Sequence, residues 1–275
     1  MTELIRWIAA PVLAALSTFA LPAWAGSCAE LAHPRSVADS EGCLAVVPVS
    51  DTPGPQRVVV ALLHGDGRGS MESRQVERWT GIGQSLTAPG RVVVFLVRPG
   101  YRSPAGDSSG WANPNDDDYT PKNIDRVAEA LRNLRKAYQA DKVVLVGHSG
   151  GAATSALVLG RHPDAADGAV LLGCPCDVPP WREHRNSQRG GGNAWNKSLN
   201  PLDAVPGVRA GTPVLVATGA QDDNTLPVFG QRWADAASAR GVAAKFESVP
   251  GRDHGSIQAW PQINRRVTEV LEALP

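Results

Sequence analysis

Residue types that can together transfer an acyl group are spaced along this chain: Ser149, the adjacent pair Asp222 and Asp223, and His254. A serine hydroxyl is a poor nucleophile at neutral pH. It needs an imidazole within hydrogen-bond reach to take its proton, and the imidazole needs a carboxylate to hold its tautomer and stabilise the imidazolium. Ser149 stands in Gly147-His148-Ser149-Gly150-Gly151, and His254 in the glycine-flanked Gly251-Arg-Asp-His254-Gly255. Asp222 is the first candidate for the acid. Asp223 is the alternative, its other reading being a charge at the start of the following helix. Negative charge developing on a carbonyl oxygen needs donors aimed at it. The backbone N–H of Gly150 is one, and the turn His64-Gly65-Asp66 supplies the other, taken as the N–H of Asp66. His64 and His148 are read as packing around the site rather than as proton carriers. Gly-x-Ser-x-Gly alone is weak, because a chain this rich in glycine yields about 0.2 chance matches. The bland alternative is a glycine-rich turn with an N-capping serine.

Position decides between the two readings. Val143 to Val146 form a continuous apolar run, as in a strand buried on both faces, and small apolar residues after Gly151 read as a helix. Strand, Gly-x-Ser-x-Gly, helix is the setting of a tight turn that lifts a serine hydroxyl above a parallel sheet. Further strands are expected over 57–63, 91–97, 169–172, 213–218 and 244–249, with an edge strand over 44–49. Helices are expected over 71–87, from Thr120-Pro121 with Ile124, Val127, Leu131 and Leu134 on one face, over 229–240, and at the C-terminus through Ile263, Val267 and Val270. This alternation predicts a doubly wound, mostly parallel sheet flanked by helices, an α/β fold. Ligands in such folds lie beyond the carboxyl ends of strands, and Asp66, Ser149, Asp222 and His254 each follow a predicted strand. Residues 101–119 read as a long polar loop, with Asp116 to Asp118 as a solvated turn rather than a cation site. Residues 174–212 read as an irregular, cap-like insertion walling the cleft, carrying Trp181, Arg182, His184, Arg185 and Trp195.

With 43% hydrophobic and 20% charged residues among 275, and zero formal net charge, the composition is that of a globular chain with no bulk field to attract nucleic acid. Residues 1–25 read as a signal peptide: Arg6, an apolar run from Ile8 to Leu21, then Ala23-Trp24-Ala25 as the cleavage site. Pro11 and Pro22 break that run and leave it short for a membrane anchor. The expectation is an exported protein, periplasmic or secreted, with 26–275 as a single domain and no stable anchor after cleavage. Four cysteines fit two disulfides in an oxidising compartment, and proximity favours Cys28–Cys43 and Cys174–Cys176. As a metal site, Cys174-Pro-Cys176 has only His184 nearby, so no metal or other cofactor is expected. Nothing in the sequence speaks to oligomeric state.

The chain from Arg57 to its C-terminus resembles the α/β-hydrolase superfamily, most of all dienelactone-hydrolase-like proteins and the catalytic domain of the prolyl oligopeptidase family. The resemblance lies in Leu63-His64-Gly65, Gly147-His-Ser-Gly-Gly151, Ser198-Leu-Asn-Pro-Leu202 before a Thr-Pro-Val-Leu strand, Gly219-Ala-Gln-Asp222-Asp223, and Gly251 to His254. It implies the chain order Ser, Asp, His and acyl transfer to water through a Ser149 acyl-enzyme, with Asp222 as acid and His254 as base. One departure keeps Asp223 open: Pro227 lies one residue later than the common Asp-x-x-Val-Pro spacing. The expected function is an exported serine hydrolase cleaving carboxylic esters of small molecules. A serine peptidase acting on short peptides is the alternative, and an inactive binding protein on the same fold a more distant one.

Overall fold

The computed structural model describes residues 27–54, 57–189 and 195–275. The expected signal peptide, residues 1–25, lies outside the described residues. The strands are β1 (Ser36–Asp39), β2 (Gly42–Asp51), β3 (Val58–Leu63), β4 (Arg91–Leu96), β5 (Lys142–His148), β6 (Gly168–Leu172), β7 (Pro213–Gly219) and β8 (Ala243–Val249). They form one sheet in the order β1-β2-β4-β3-β5-β6-β7-β8. From β4 to β8 every pairing is parallel, while β1–β2 and β2–β4 are antiparallel.

The apolar runs in the sequence become strands because helices cover both faces, so each side chain is buried whichever way it points. On β3, Val59, Ala61 and Leu63 enter one core while Val60 and Leu62 enter the other. β5 divides in the same way, with Val143 and Leu145 against Val144 and Val146. Helices α2 (Pro121–Ala137), α3 (Gly150–Arg161) and α6 (Pro227–Ser238) cover the first face through Ile124, Val127, Leu131, Leu157, Phe229 and Trp233. Helices α1 (Ser73–Ser85) and α7 (Ile263–Glu272) cover the second through Trp79, Ile82, Ile263, Val267 and Val270. As expected from Thr120-Pro121, α2 starts with the Thr120 hydroxyl accepting the Asn123 N–H and with proline in its first turn.

Two expectations need correction. The strand over 44–49 is not an edge: β2 lies between β1 and β4, and it runs through Pro48 to Asp51 with a register shift at Pro48/Ser50. A bulge tolerates proline because the ladder there needs no N–H from it. The stretch after β6 is not irregular throughout, since it contains α4 (Val178–Arg189) and the single turn α5 (Pro201–Ala204).

The N-terminal hairpin is fastened by groups far apart in sequence. Cys28 is bonded to Cys43 of β2; the second disulfide, Cys174–Cys176, is a local bridge after β6 and takes no part in this hairpin. Arg126 of α2 is fully buried, donating from Nε (3.1 Å) and Nη2 (2.8 Å) to Asp39 Oδ2 and from Nη1 to the Ser109 carbonyl (2.8 Å). One guanidinium thereby joins β1, the loop after β4 and α2.

Candidate active site

Ser149 is held at φ 52°, ψ −121°, a conformation an L-residue adopts only when its surroundings impose it. Its N–H donates to the Leu172 carbonyl of the neighbouring strand (2.8 Å). The flanking glycines are required by close approach. A Cβ on Gly147 would lie 2.4 Å from the Gly151 carbonyl oxygen, and one on Gly151 would lie 2.2 Å from that of Leu63. Only a backbone without side chains at both positions lets β5, the turn and α3 fold back this sharply.

Above the carboxyl ends of the strands, the candidate residues converge. Ser149 Oγ is 3.0 Å from His254 Nε2, and His254 Nδ1 is 2.9 Å from Asp222 Oδ2. The Asp222 side chain is fully buried and His254 only slightly exposed. Asp222 Oδ1 accepts the N–H groups of Asn224 (3.0 Å) and Thr225 (2.7 Å), and Oδ2 accepts the Thr225 hydroxyl (2.7 Å) as well as the imidazole. With a carboxylate at Nδ1, the ring carries its proton there and leaves Nε2 to accept from the serine. Thr225 Oγ1 also lies 3.0 Å from Nδ1. This threonine escaped the sequence reading. The signal was present in its offset: a hydroxyl three residues after an aspartate suits a side-chain-capped turn.

The structure separates the two candidate acids. Asp223 is exposed, and among the described residues its carboxylate makes no hydrogen bond. Its backbone carbonyl accepts from His184 Nε2 (2.6 Å) and Gln188 Nε2 (3.0 Å), both on α4. Trp181 of the same helix donates from Nε1 to the Asn224 carbonyl (3.0 Å). Helix α4 therefore clamps the loop that carries Asp222. Trp181 and Trp195, ring centroids 4.3 Å apart, wall the cleft, whereas Trp111 is exposed and lies elsewhere.

His148 and His64 flank the site as buried neutral rings. Burial, and then the adjacent His254, pushes the His148 imidazole down to about 3. Its Nε2 lies 2.8 Å from the His254 carbonyl, so its N–H holds the loop that carries His254. His64 Nε2 accepts the Arg98 N–H (3.0 Å), which puts the ring proton on Nδ1, 2.8 Å from the Gly65 carbonyl. Burial, followed by the charge of Arg98, holds His64 well below the usual imidazole range.

The oxyanion candidates lie beside the serine. A Cβ on Gly65 would sit 3.0 Å from Ser149 Cβ, which brings the His64–Asp66 turn against Ser149. Among the described residues, neither the Asp66 nor the Gly150 N–H donates to a protein acceptor. A cleft of about 220 Å³ opens over this point, lined by Gly65, Asp66, Trp79, Trp181, Trp195 and His254 among others.

Asp116 to Asp118 do not form a solvated turn. All three are buried and pin the loop after β4: Asp116 accepts the Arg68 N–H, Asp117 the Lys197 N–H and Ser198 hydroxyl, and Asp118 the Asn113 N–H. Burial outweighs that last bond and pushes the Asp118 carboxyl up to about 6. A carboxyl with a raised folded-state pKa costs stability as pH rises from about 4 through 6, because the unfolded chain ionises first. Asp118→Asn keeps an acceptor for Asn113. It is expected to raise Tm by roughly 2–5 °C at pH 8 and to leave it unchanged at pH 4, as read by thermal melts at the two pH values.

The profile of the prolyl oligopeptidase family matches residues 84–272. Among solved structures, an esterase of Pyrococcus furiosus superposes with a TM-score of 0.67 at 15% identity, covering 87% of this chain and 89% of that one. A proline iminopeptidase of Mycobacterium smegmatis gives 0.62 at 17% identity, covering 87% and 98%. An acylaminoacyl peptidase of Pyrococcus horikoshii gives 0.58 at 15% identity, covering 86% of this chain and 40% of its own. At these identities the likeness is one of fold. A search of curated protein sequences finds no significant match.

Proposed function

Because the chain belongs to the prolyl oligopeptidase family and is a serine hydrolase, we propose that it cleaves carboxylic esters of small molecules through an acyl-enzyme on Ser149. The observation that carries this reading is the continuous relay from Ser149 Oγ through His254 to a buried, fully hydrogen-bonded Asp222. As Oγ attacks the carbonyl carbon, His254 Nε2 takes its proton, and the Nδ1–H bond to Asp222 stabilises the imidazolium. The oxyanion is received by the N–H groups of Gly150 and Asp66. His254 returns its proton to the leaving alkoxide, and a water deprotonated by the same imidazole releases the acid.

The preference for esters rests on the cleft. At about 220 Å³, walled by Trp79, Trp181 and Trp195, it is small beside the usual 300–1,000 Å³ of ligand pockets and suits a short acyl or aryl group. Peptidase action is the second reading, favoured by the family match itself. The leader-like residues 1–25 and the two disulfides support export to the periplasm or the medium.

Labelling with a fluorophosphonate probe tests the mechanism. The wild type is expected to be labelled and Ser149→Ala to be blank; an unlabelled wild type, as from an inactive binding protein, or equal labelling of both, ends the proposal. A panel of p-nitrophenyl esters against aminoacyl anilides then separates esterase from peptidase, and faster turnover of the anilides would favour the second reading.

A further inference from the structure

Asp66 is an awkward residue to find beside an oxyanion. On the acyl-enzyme reading above, its N–H is one of two that receive the developing negative charge, yet its side chain brings a second negative charge to the same place. Like charges at this range repel, most strongly where water is excluded. The surroundings of the carboxylate resolve the conflict. Asp66 Oδ1 accepts from Arg98 Nη2 (2.7 Å) and Oδ2 from the Tyr119 hydroxyl (2.5 Å). Arg98 is 3% exposed in its side chain and Asp66 11%. The guanidinium is itself held, with Nη2 also 3.1 Å from the Gly65 carbonyl and 2.9 Å from the Tyr101 hydroxyl, whose oxygen accepts the Gly67 N–H (3.3 Å).

The same side chain touches the other donor. A Cβ built on Gly150 would lie 1.9 Å from Asp66 Oδ1 and 2.9 Å from Arg98 Nη1, so the carboxylate and the guanidinium are packed on the Cα next to the second oxyanion N–H. Asp66 is thus fixed at three points: by the turn after β3, by Arg98 and Tyr119 from the loop after β4, and by the first residue of α3. None of these groups belongs to the proton relay.

We propose that Arg98 and Tyr119 are positioning residues which, through the carboxylate of Asp66, set the two oxyanion donors at a fixed separation and cancel the charge that would oppose the oxyanion. This rests on the Ser149 acyl-enzyme reading. It adds that the hole is built from a buried ion pair and a phenol, not from the backbone turn alone. Burial, and then the neighbouring Asp66, holds the Tyr119 hydroxyl well above its ordinary range, so it stays a donor at any working pH.

The test uses the whole enzyme and a p-nitrophenyl ester, with a boronic acid as the tetrahedral mimic. Tyr119→Phe removes one oxygen and leaves the ring packing. It is expected to lower kcat by about 10–100-fold while KM stays within threefold, since a small misplacement of preorganised donors is costly. Boronate affinity is expected to fall by the same factor as kcat. Asp66→Ala keeps the N–H but removes the anchor, and should lose kcat at least as strongly. Asp66→Asn, which can still accept from Tyr119, should recover part of that loss. Because Asp66→Ala leaves Arg98 buried without its partner, it can fail to fold; Tyr119→Phe then decides. An active wild type whose Tyr119→Phe variant keeps kcat within twofold, or loses kcat without losing boronate affinity, overturns the inference and leaves the hydrolase reading standing. A wild type unlabelled by fluorophosphonate overturns that underlying reading instead.

Discussion

Asp222→Asn is expected to lower kcat by about ten-thousandfold, whereas Asp223→Asn changes it less than threefold. Asparagine fits the space and keeps an acceptor for the N–H groups of Asn224 and Thr225, so the fold has no reason to fail. The loss is one of tautomer. An amide N–H facing His254 Nδ1 cannot accept its proton, so the ring is driven to carry the proton on Nε2, where it meets Ser149 Oγ as a donor instead of an acceptor. The imidazolium of the transition state also loses its counter-charge. Asp223 is exposed and offers α4 only its backbone carbonyl, which the substitution does not touch. Steady-state kinetics on one p-nitrophenyl ester, with Tm measured for both variants, checks this. Equal losses in the two, or a larger loss at 223, would mean that the acid is not the residue on which the geometry converges.

Gly151→Ala has the larger expected effect on stability. Its Cβ would lie 2.2 Å from the Leu63 carbonyl oxygen and 2.5 Å from that of His64, both backbone atoms that cannot swing away. Leu63 ends a strand paired in register on both sides, to Leu96 of β4 and Gly147 of β5, so relief must come from moving the sheet or unwinding the start of α3. Ordinary overpacking costs about 1–3 kcal/mol, and a contact this short against fixed backbone should exceed that, a large part of a typical total of about 5–15 kcal/mol. Urea denaturation is the measurement. Gly81→Ala in α1 is the control, since a Cβ there meets nothing within 4 Å; it should stabilise by roughly 0.5–1 kcal/mol. If Gly151→Ala costs no more than about 1 kcal/mol, the close packing of turn against strand is wrong.

The contrast between these glycines shows where local reading works. The strand-turn-helix around Ser149 was legible because its demands are local: an apolar run long enough to cross a two-sided core, a residue without a side chain on either side of the turn, and small residues beginning the helix. The placement of Asp66, Asp222 and His254 after strands was legible for a similar reason, because a parallel sheet puts all those ends on one edge. Less was visible where the pattern was short or mixed. Four residues, Ser36–Asp39, make a strand only because β2 lies beside them. Helix α4 opens with Val178-Pro-Pro and continues through mostly polar residues, so it carries no apolar stripe of its own; its docking onto the 222–225 loop holds it.

What the sequence determined by itself, then, was the order of the elements, the edge of the sheet at which chemistry could occur, and the residue types available there. Which of Asp222 and Asp223 would face His254 was beyond it, since two adjacent aspartates are chemically identical in a string and differ only in which one the turn directs inward. The joining of Arg98, Tyr119 and Asp66 was beyond it as well. Arg98 and Tyr119 follow Asp66 by 32 and 53 positions, on a different loop, and each taken singly is an ordinary polar loop residue. Their meeting follows from β3 and β4 pairing in parallel, which brings both loops to the same edge of the sheet and buries a charge that only a partner from the other loop can neutralise.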